Sequence, residues 1–281
     1  RHVRKTDLAL LEAETFKPVI DYFVTKMTVG LTATPNRADR KDIRDIFGEE
    51  IFSYPLTRGV AEGYLAEMDY RVENDNIDRA RLQELVDRVT GGDRTVAKSD
   101  LDSTIFLYER LDAIEKRVRE VEGEFGRKLK KVIFCRSLTH VRAVQKFFKE
   151  AVPYHSKMDR DLQREVLVNF KAGTTKEILV RDKFNEGVDV PDAEMLIFLR
   201  GTTSETIWLQ QLGRGLRKSN GKTHVVVLDF VANCDRIRAV GTLARDIVSI
   251  GGTQHRDQEQ RDNLHIEGTG YSFNFTEETM N

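Results

Sequence analysis

The chain of 281 residues is poor in cysteine, in excess charge and in long apolar segments. Its two cysteines, Cys135 and Cys234, lie in apolar surroundings typical of strands, which predicts buried, reduced thiols. Neither cysteine nor histidine recurs at a spacing typical of a metal site. No apolar run is long enough to cross a membrane, and no charged-then-apolar leader opens the sequence. These absences predict a cytoplasmic protein without a metal site or a membrane partner.

The charges of the chain nearly cancel, because 45 lysines and arginines accompany 46 aspartates and glutamates and leave a net charge of −1. This balance excludes a polybasic nucleic-acid binder as a class, but it leaves open a locally basic groove on a neutral protein. The length allows one or two domains with a sizeable core. Apolar, strand-like segments alternate with amphipathic, helix-like ones, which indicates an α/β fold with a parallel sheet.

The most informative segment, residues 206–217, reads TIWLQQLGRGLR and contains two arginines three residues apart. On one helix, Arg214 and Arg217 would share a face. Two guanidiniums so placed suit a polyanion, because their planar donors bind phosphate oxygens bidentately. Taken alone, the segment is more typical of a solvated helix end with two surface arginines.

Two further segments resemble ligand-binding turns. Residues 184–192 (FNEGVDVPD) follow an apolar run and contain Gly187, which permits a close backbone approach to a ligand. The carboxylate of Asp189 can accept hydrogen bonds from a ribose hydroxyl or from an arginine. Residues 30–35 (GLTATP) end an apolar strand with two hydroxyl side chains and a proline.

In this order and at these separations, the segments resemble the motifs of superfamily-two helicases and translocases. Residues 30–35 resemble motif III, residues 184–192 motif V and residues 210–217 (QQLGRGLR) motif VI, while residues 132–137 (VIFCRS) are similar to motif IV. The flanking sequences EGYL, FLR and VLDF are most similar to the restriction-enzyme-like branch, the motor subunits of type I and type III restriction enzymes. The resemblance covers about residues 7–235.

Two elements of that family are absent from the sequence. No G-x-x-x-x-G-K-[ST] phosphate loop occurs: the stretch 215–223 has one residue too many, and it leads from a helix into a strand instead of the reverse. There is also no Asp-Glu dipeptide, so the acidic box that binds Mg²⁺ in the family is missing. The family has both elements before motif III. The resemblance therefore implies a C-terminal fragment that begins just after the acidic box.

The implied fold class is α/β, with RecA-like parallel sheets and flanking helices, a partial first lobe and a complete second lobe. The expected divisions are a first-lobe remnant at residues 1–73, an interlobe connection with a helical insertion at 74–126, the second lobe at 127–246, and an extension of unknown role at 247–281.

Hydrophobic periodicity predicts the individual elements. A strand at residues 68–73 is expected to leave the first lobe, and an amphipathic surface helix is expected at 102–122. The remaining predicted strands are at 26–31, 52–56, 131–135, 177–180, 195–199, 224–230 and 271–275. The remaining predicted helices are at 7–24, 39–47, 58–65, 80–89, 138–150, 160–172 and 204–216.

The resemblance also implies roles for individual residues. ATP lies between the two lobes, and nucleic acid crosses both. Arg214 and Arg217 then act as arginine fingers on the charge that develops on the γ-phosphate, and Gln210 supports the nucleotide or the motif itself. Gly187 and Asp189 lie where the family contacts the ribose and the finger helix.

Each of the remaining candidates has two interpretations. Glu186 is either part of the nucleotide site or a surface carboxylate. Thr32 and Thr34 either couple the lobes through the acidic box or cap a strand end, since Thr-x-Pro favours turns. Arg136 and Ser137 follow a predicted strand, at the edge where open α/β sheets bind ligands. They either grip the phosphodiester backbone or cap the next helix.

The function implied is that of an ATP-dependent DNA helicase or translocase of restriction-enzyme type. Its cofactors are ATP and Mg²⁺, both bound mainly by the missing first-lobe segment, so the chain alone is expected not to hydrolyse ATP. The expected partners are DNA, contacted through its backbone without sequence specificity, the missing N-terminal lobe and restriction–modification subunits. The alternative is a non-catalytic nucleic-acid- or protein-binding module derived from a helicase. The paired arginines favour the enzyme, because a platform has no use for fingers.

Overall fold

The structure is a computed structural model that describes residues 22–24, 26–27, 29–30, 47–73, 108–181, 190–199, 205–230, 234–251, 263–268 and 271–276. Its helices within these ranges are α1 (Leu56–Ala61), α2 (Tyr108–Glu124), α3 (Leu138–Gln145), α4 (Arg160–Ala172), α5 (Glu205–Gly215) and α6 (Cys234–Gly251). Its strands are β1 (Glu67–Val72), β2 (Lys131–Phe134), β3 (Val152–His155), β4 (Glu177–Arg181), β5 (Met195–Phe198), β6 (His224–Asp229), β7 (Asn263–Gly268) and β8 (Tyr271–Thr276).

The eight strands form one sheet in the order β3-β4-β2-β5-β6-β1-β8-β7. Every neighbouring pair is parallel except β7 and β8, which are antiparallel. The predicted parallel sheet is therefore confirmed. All strands except β7 therefore run in the same direction. The edge of the sheet that contains their first residues is called the amino edge, and the opposite edge, which contains their last residues, is called the carboxyl edge.

Two apolar cores cover the opposite faces of this sheet. In β2, Val132 and Phe134 belong to the first core and Ile133 belongs to the second, since successive side chains of a strand point to opposite faces. Helices α4, α5 and α6 contribute to the first core, and α2 and α3 contribute to the second. Helix α1 packs against α6. This two-faced burial explains why the central strands are almost continuously apolar.

Helix α2 confirms the predicted amphipathic helix within the described residues. Four apolar side chains at helical spacing are buried in the second core, namely Leu111, Ile114, Val118 and Val121. The positions between them that face solvent carry charge, as at Lys116 and Glu120. The helix thus covers one face of the sheet. None of the helices in the described ranges combines the length and apolarity that a membrane span requires.

The strand predicted at residues 68–73 is present and lies in the same sheet as the strands of the expected second lobe. It forms β1, which pairs in parallel with β6 from Glu67 opposite His224 to Val72 opposite Asp229. Strand β6 lies inside the predicted second lobe, so β1 extends that same sheet. The expected divisions of the chain stay predictions.

Three elements of the described ranges were not predicted: β3, α6 and β7. The strand predicted at residues 52–56 is wrong, because residues 52–55 belong to no strand and Leu56 begins α1. Strand β3 is only four residues long and contains Pro153, which argues against a strand in sequence. Its position at the edge of the sheet resolves the conflict, because an edge strand pairs on one side only. Helix α6 continues to Gly251, past the expected boundary at residue 246.

The bounds of α4 agree with those predicted, because the residues that flank the helix favour its beginning and its end. The carboxylate of Asp159 accepts the backbone N–H of Asp161 at 2.8 Å, and Gly173 follows the helix with a φ of 82°. Helix α3 is shorter than expected and ends at Gln145. Cys135 is a buried free thiol whose pKa is raised by burial, as expected of a reduced core cysteine.

A buried network of ion pairs lies at the amino edge of the sheet, where β2 and β4 begin. Lys131 Nζ lies 2.7 Å from both Glu122 Oε1 and Glu177 Oε1. Arg119 Nη1 lies 2.9 Å from Glu122 Oε2 and 3.0 Å from Glu177 Oε1. Burial raises the pKa of Glu177, but the two cations outweigh it, so the net pKa lies below the ordinary value. The carboxylate of Glu177 therefore remains charged at neutral pH.

Candidate functional site

Half of the predicted site residues lie outside the described part of the chain. They are Glu186, Gly187 and Asp189 of the motif V segment and Thr32 and Thr34 of the motif III segment. Their roles stay predictions. The structure describes the other half, namely Gln210, Arg214, Arg217, Arg136 and Ser137.

Helix α5 carries the motif VI candidates on a firmly packed support. Trp208 and Leu212 are buried in the first core, while Gln210 and Arg214, four residues apart, are partly exposed on the same helix. The helix ends at Gly215, so the exposed Arg217 lies just beyond it. The expectation that both arginines share one helix is therefore wrong, and the second guanidinium projects from the segment that follows the helix.

The glycines of the QLGRGLR sequence allow α5 to approach its neighbours closely. A Cβ atom on Gly215 would lie 2.5 Å from Cδ1 and 2.7 Å from Cδ2 of Leu196 in β5. A Cβ atom on Gly213 would lie 3.0 Å from Leu56 Cδ1 in α1. Gly215 thus serves the packing of α5 on the sheet, and Gly213 serves its packing on α1.

Gly215→Ala is expected to lower the free energy of unfolding by about 1–3 kcal/mol, because the added methyl group overpacks the contact with Leu196. Gly241→Ala in α6 is the matched control, since nothing lies within 4 Å of its Cβ position. The control is expected to raise the stability by about 0.5–1 kcal/mol through helix propensity. Urea titrations of both variants measure the difference, and equal effects would contradict the packing role.

The end of α5 is held by Lys222, which belongs to the stretch that mimics a phosphate loop. Lys222 Nζ donates to the carbonyl oxygens of Pro191 at 2.6 Å, of Arg217 at 3.0 Å and of Gly215. Burial lowers the pKa of Lys222 to about 8, although Asp192 and Glu194 act in the opposite direction. The ammonium thus binds backbone carbonyls, which agrees with the rejection of a phosphate loop here.

This role of Lys222 was not predicted from the sequence. A helix leaves its last carbonyl groups without helical partners, and a lysine a few residues later can donate to them. That signal was present in the spacing between Gly215 and Lys222. The contribution of Pro191 had no local signal, because it comes from a distant part of the chain.

At the carboxyl edge, Ser137 and Arg136 follow β2. Ser137 is the N-cap of α3, and its Oγ accepts the backbone N–H of His140 at 3.0 Å. Of the two interpretations of Ser137, helix capping is therefore observed. The guanidinium of Arg136 is exposed, while its backbone N–H donates to His140 Nδ1 at 3.2 Å. A contact of Arg136 with a phosphodiester stays a prediction.

The pKa of the buried His140 reflects positive charge at this edge. Burial lowers its pKa to about 3, and the charges of Arg110 and Arg136 add to that effect. The imidazole is therefore neutral at physiological pH, with Nδ1 as the acceptor. Arg110 comes from α2, and its Nη2 donates to the carbonyl of Phe230 at 2.6 Å. Two guanidiniums from different elements thus act on one neutral ring, which makes this part of the edge locally basic.

The described candidates do not all lie at one edge of the sheet. Arg136 and Ser137 directly follow β2 at the carboxyl edge. At the other end of α5, the carbonyl of Leu216 accepts the N–H of Ala66, next to the start of β1, at 2.8 Å. Arg217 therefore lies near the amino edge. Arg136 and Arg217 therefore lie at opposite edges of the sheet.

The described ranges contain no group of three or more His, Cys, Asp or Glu side chains that could hold a metal ion. The described residues therefore do not form a site for the Mg²⁺ that the resemblance implies.

Comparison with known proteins identifies the domain. Residues 110–219 match the family model of the helicase conserved C-terminal domain. The chain is 25% identical over 246 residues to the type I restriction enzyme EcoAI endonuclease subunit of Escherichia coli, covering 78% of this chain and 30% of that protein. It is 24% identical over 243 residues to the DNA 3'-5' translocase XPB2 of Sulfurisphaera tokodaii, covering 75% and 54%.

Among solved structures, the chain resembles a fragment assigned as the HsdR subunit of a type I restriction enzyme from Vibrio vulnificus YJ016. The TM-score is 0.58 at 21% identity, covering 79% of this chain and 43% of that one. This likeness supports the RecA-like fold. The chain spans only about a third to a half of the length of the two curated relatives, at 30% and 54%. The chain contains a RecA-like helicase C-terminal domain related to the motor subunits of type I restriction enzymes and to superfamily-two helicases.

Proposed function

We propose that the chain is the part of an ATP-dependent DNA translocase or helicase of restriction-enzyme type that supplies motifs III to VI. The observation that carries this proposal is the packing of α5 in a helicase C-terminal domain. Its buried Trp208 and Leu212 and its close contact at Gly215 fix a helix that presents Gln210 and Arg214. A rigid support of this kind suits residues that act on a reacting group.

In this proposal, Arg214 and Arg217 contact the γ-phosphate of an ATP molecule that a first lobe holds. Phosphoryl transfer depends mainly on positioning and on stabilisation of developing charge, and a guanidinium supplies both. Gln210 lies one helical turn before Arg214 and supports the nucleotide or the motif itself. ATP and its Mg²⁺ are bound mainly by the first lobe, which is also the principal partner of this chain.

The motif V residues Glu186, Gly187 and Asp189 are proposed to contact the ribose and the finger helix. The position of the residues that follow Asp189 supports this assignment. Val190 is buried in the first core, and the carbonyl of Pro191 is bound by Lys222 together with the end of α5. The motif V segment therefore ends beside the motif VI segment.

DNA is proposed to bind through its backbone at the carboxyl edge, with Arg136 as a phosphate contact. The exposure of this guanidinium and the locally basic surroundings of His140 support the assignment. Phosphate contacts position DNA without reading its sequence. Thr32 and Thr34 are proposed to couple the lobes, and restriction–modification subunits are the proposed further partners.

A salt titration tests the nucleic-acid part of the proposal. The chain is expected to bind random and fixed duplexes equally, with an affinity that falls as salt rises. Arg136→Ala is expected to reduce the slope of log affinity against log salt by about 0.9, the value for one lost duplex phosphate contact. Lys149→Ala is the control, because this exposed lysine lies near the other end of α3.

Two outcomes would overturn the groove assignment. One is strong discrimination between duplex sequences, which backbone contacts do not provide. The other is an identical salt slope for the Arg136 and Lys149 variants. A longer protein that combines this chain with a first lobe is needed to measure ATP hydrolysis. If DNA binds as expected but the motif VI arginines have no effect on ATP hydrolysis by this longer protein, the non-catalytic module is favoured.

A further inference from the structure

We infer that Lys222 is a positioning residue that holds the end of the motif VI helix and the end of the motif V segment in a fixed relation. The inference rests on the proposed function for its catalytic consequence, although its structural part stands alone. Lys222 itself contacts no reacting group in this scheme. It acts through the backbone of Arg217.

The three acceptors of Lys222 come from two parts of the chain that are distant in sequence. Pro191 lies before β5, whereas Gly215 and Arg217 belong to the end of α5 and the residues after it. An ammonium group has three N–H donors, so the three carbonyl oxygens use its full capacity. A single side chain thus joins both segments at the amino edge of the sheet.

One of these acceptors lies at a helix end. The carbonyl groups in the last turn of a helix have no helical partner and carry partial negative charge. Lys222 satisfies Gly215, the last residue of α5, and Arg217, two residues later. Because the carbonyl of Arg217 is held in this way, the backbone from which its guanidinium projects has a defined position relative to Pro191.

An apolar residue would fill this position without the cost of burying charge. Lys222 is only 7% exposed, and burial opposes its charged form. Asp192 and Glu194 supply attractive charge, but Glu194 is also engaged by Arg127 at 2.6 Å. The benefit of the lysine is therefore specific geometry, because its donors connect segments that apolar packing would leave unlinked.

Hydrogen exchange of this chain tests the structural part. Lys222→Met removes the donors at similar length, and it is expected to speed exchange of the amides at residues 192–193 and 215–218 by about tenfold or more. The amides of β2 are expected to keep their protection. Lys218→Met, at an exposed neighbour, is expected to change neither set. Unchanged exchange at both segments in Lys222→Met would overturn the inference.

If the amides of β2 lose their protection from hydrogen exchange in Lys222→Met, this variant does not fold. The experiment is then carried out with Lys222→Gln. Glutamine retains two N–H donors on a shorter side chain. It is expected to show faster exchange at the same two segments with an intact β2. If the Lys222→Gln protein exchanges like the wild type, the inference is equally overturned.

Kinetics of the longer protein test the catalytic part. Lys222→Met is expected to lower kcat for ATP hydrolysis by about a hundredfold, the scale of a small misplacement of a reacting group, while KM changes far less. Added to Arg217→Ala, it is expected to cause little further loss, because both changes remove one function. Additive losses in the double variant would overturn the positioning role.

The proposed function and the positioning role of Lys222 can be overturned independently of each other. If Arg217→Ala alone leaves kcat unchanged, the proposed function fails, and the hydrogen-exchange result still decides whether Lys222 joins the two segments. If Arg217→Ala lowers kcat but Lys222→Met does not, the proposed function stands and the positioning role is overturned.

Discussion

Arg217→Ala and Arg214→Ala are each expected to slow ATP hydrolysis by the longer protein by about three to five orders of magnitude, with little change in nucleotide affinity. An arginine finger interacts mainly with charge that appears in the transition state. Removing it therefore raises the barrier more than it weakens ground-state binding. Lysine at either position is expected to restore little activity, because an ammonium lacks the planar donor arrangement of a guanidinium.

Single-turnover rates and nucleotide dissociation constants, measured on the same preparations, check this expectation. Lys218→Ala serves as the control, because this exposed cation directly follows Arg217. Phosphate release by the present chain alone provides the baseline, since it is expected not to hydrolyse ATP. Equal losses of rate and affinity would instead identify the two arginines as ground-state contacts.

Lys131→Met is expected to lower the free energy of unfolding by about 3–5 kcal/mol, because it leaves buried carboxylates without their main partner. Lys131 is fully buried, and its ammonium contacts two carboxylates that are themselves 5% and 1% exposed. Arg119 reaches the same carboxylates but is about a third exposed, so it compensates only in part. The loss therefore reflects uncompensated buried charge.

Lys128→Met is the matched control for this experiment. Lys128 pairs with Glu150 at 2.7 Å, but both side chains are largely exposed, at 45% and 65%. An exposed pair of this kind contributes about 0–1 kcal/mol. Denaturant titrations of both variants at neutral pH give the comparison. A similar small loss in both would show that the buried network does not contribute to stability as described.

The pH dependence provides an independent check with a defined sign. The folded-state pKa of Glu177 lies below its ordinary value of 4.5, so its stabilising contribution is present above that pH and is lost as the pH falls through the folded value. In Lys131→Met the same carboxylate is buried without its ammonium. We expect the stability difference between the two proteins to narrow below about pH 4.5, and a constant difference would contradict the assignment.

Local signals explain the parts of the fold that could be predicted. The predicted bounds of α4 hold because Asp159 caps its first turn and Gly173 follows its last residue. The apolar runs of β2, β4, β5 and β6 indicate strands buried on both faces. The motif VI segment could likewise be recognised by its spacing, because Gln210 and Arg214 lie on one stretch of helix.

Pairing between distant segments decided what could not be predicted. Strand β1 joins β6 across more than a hundred and fifty residues, and nothing within either strand states that partnership. Strand β3 contains a proline that argues against a strand until its edge position is known. The capping interpretation of Ser137 was separated from the backbone-grip interpretation only by the observed hydrogen bond to His140.

The sequence by itself determined the class of the fold, the family resemblance and the candidate arginines, because periodicity, helix-stop signals and motif spacing are properties of short segments. Only the tertiary structure decided that Gly215 is required by the side chain of Leu196 and that Lys222 binds carbonyl groups from two segments. These features depend on which distant residues come within a few ångströms, and that is set by the packing of the whole domain.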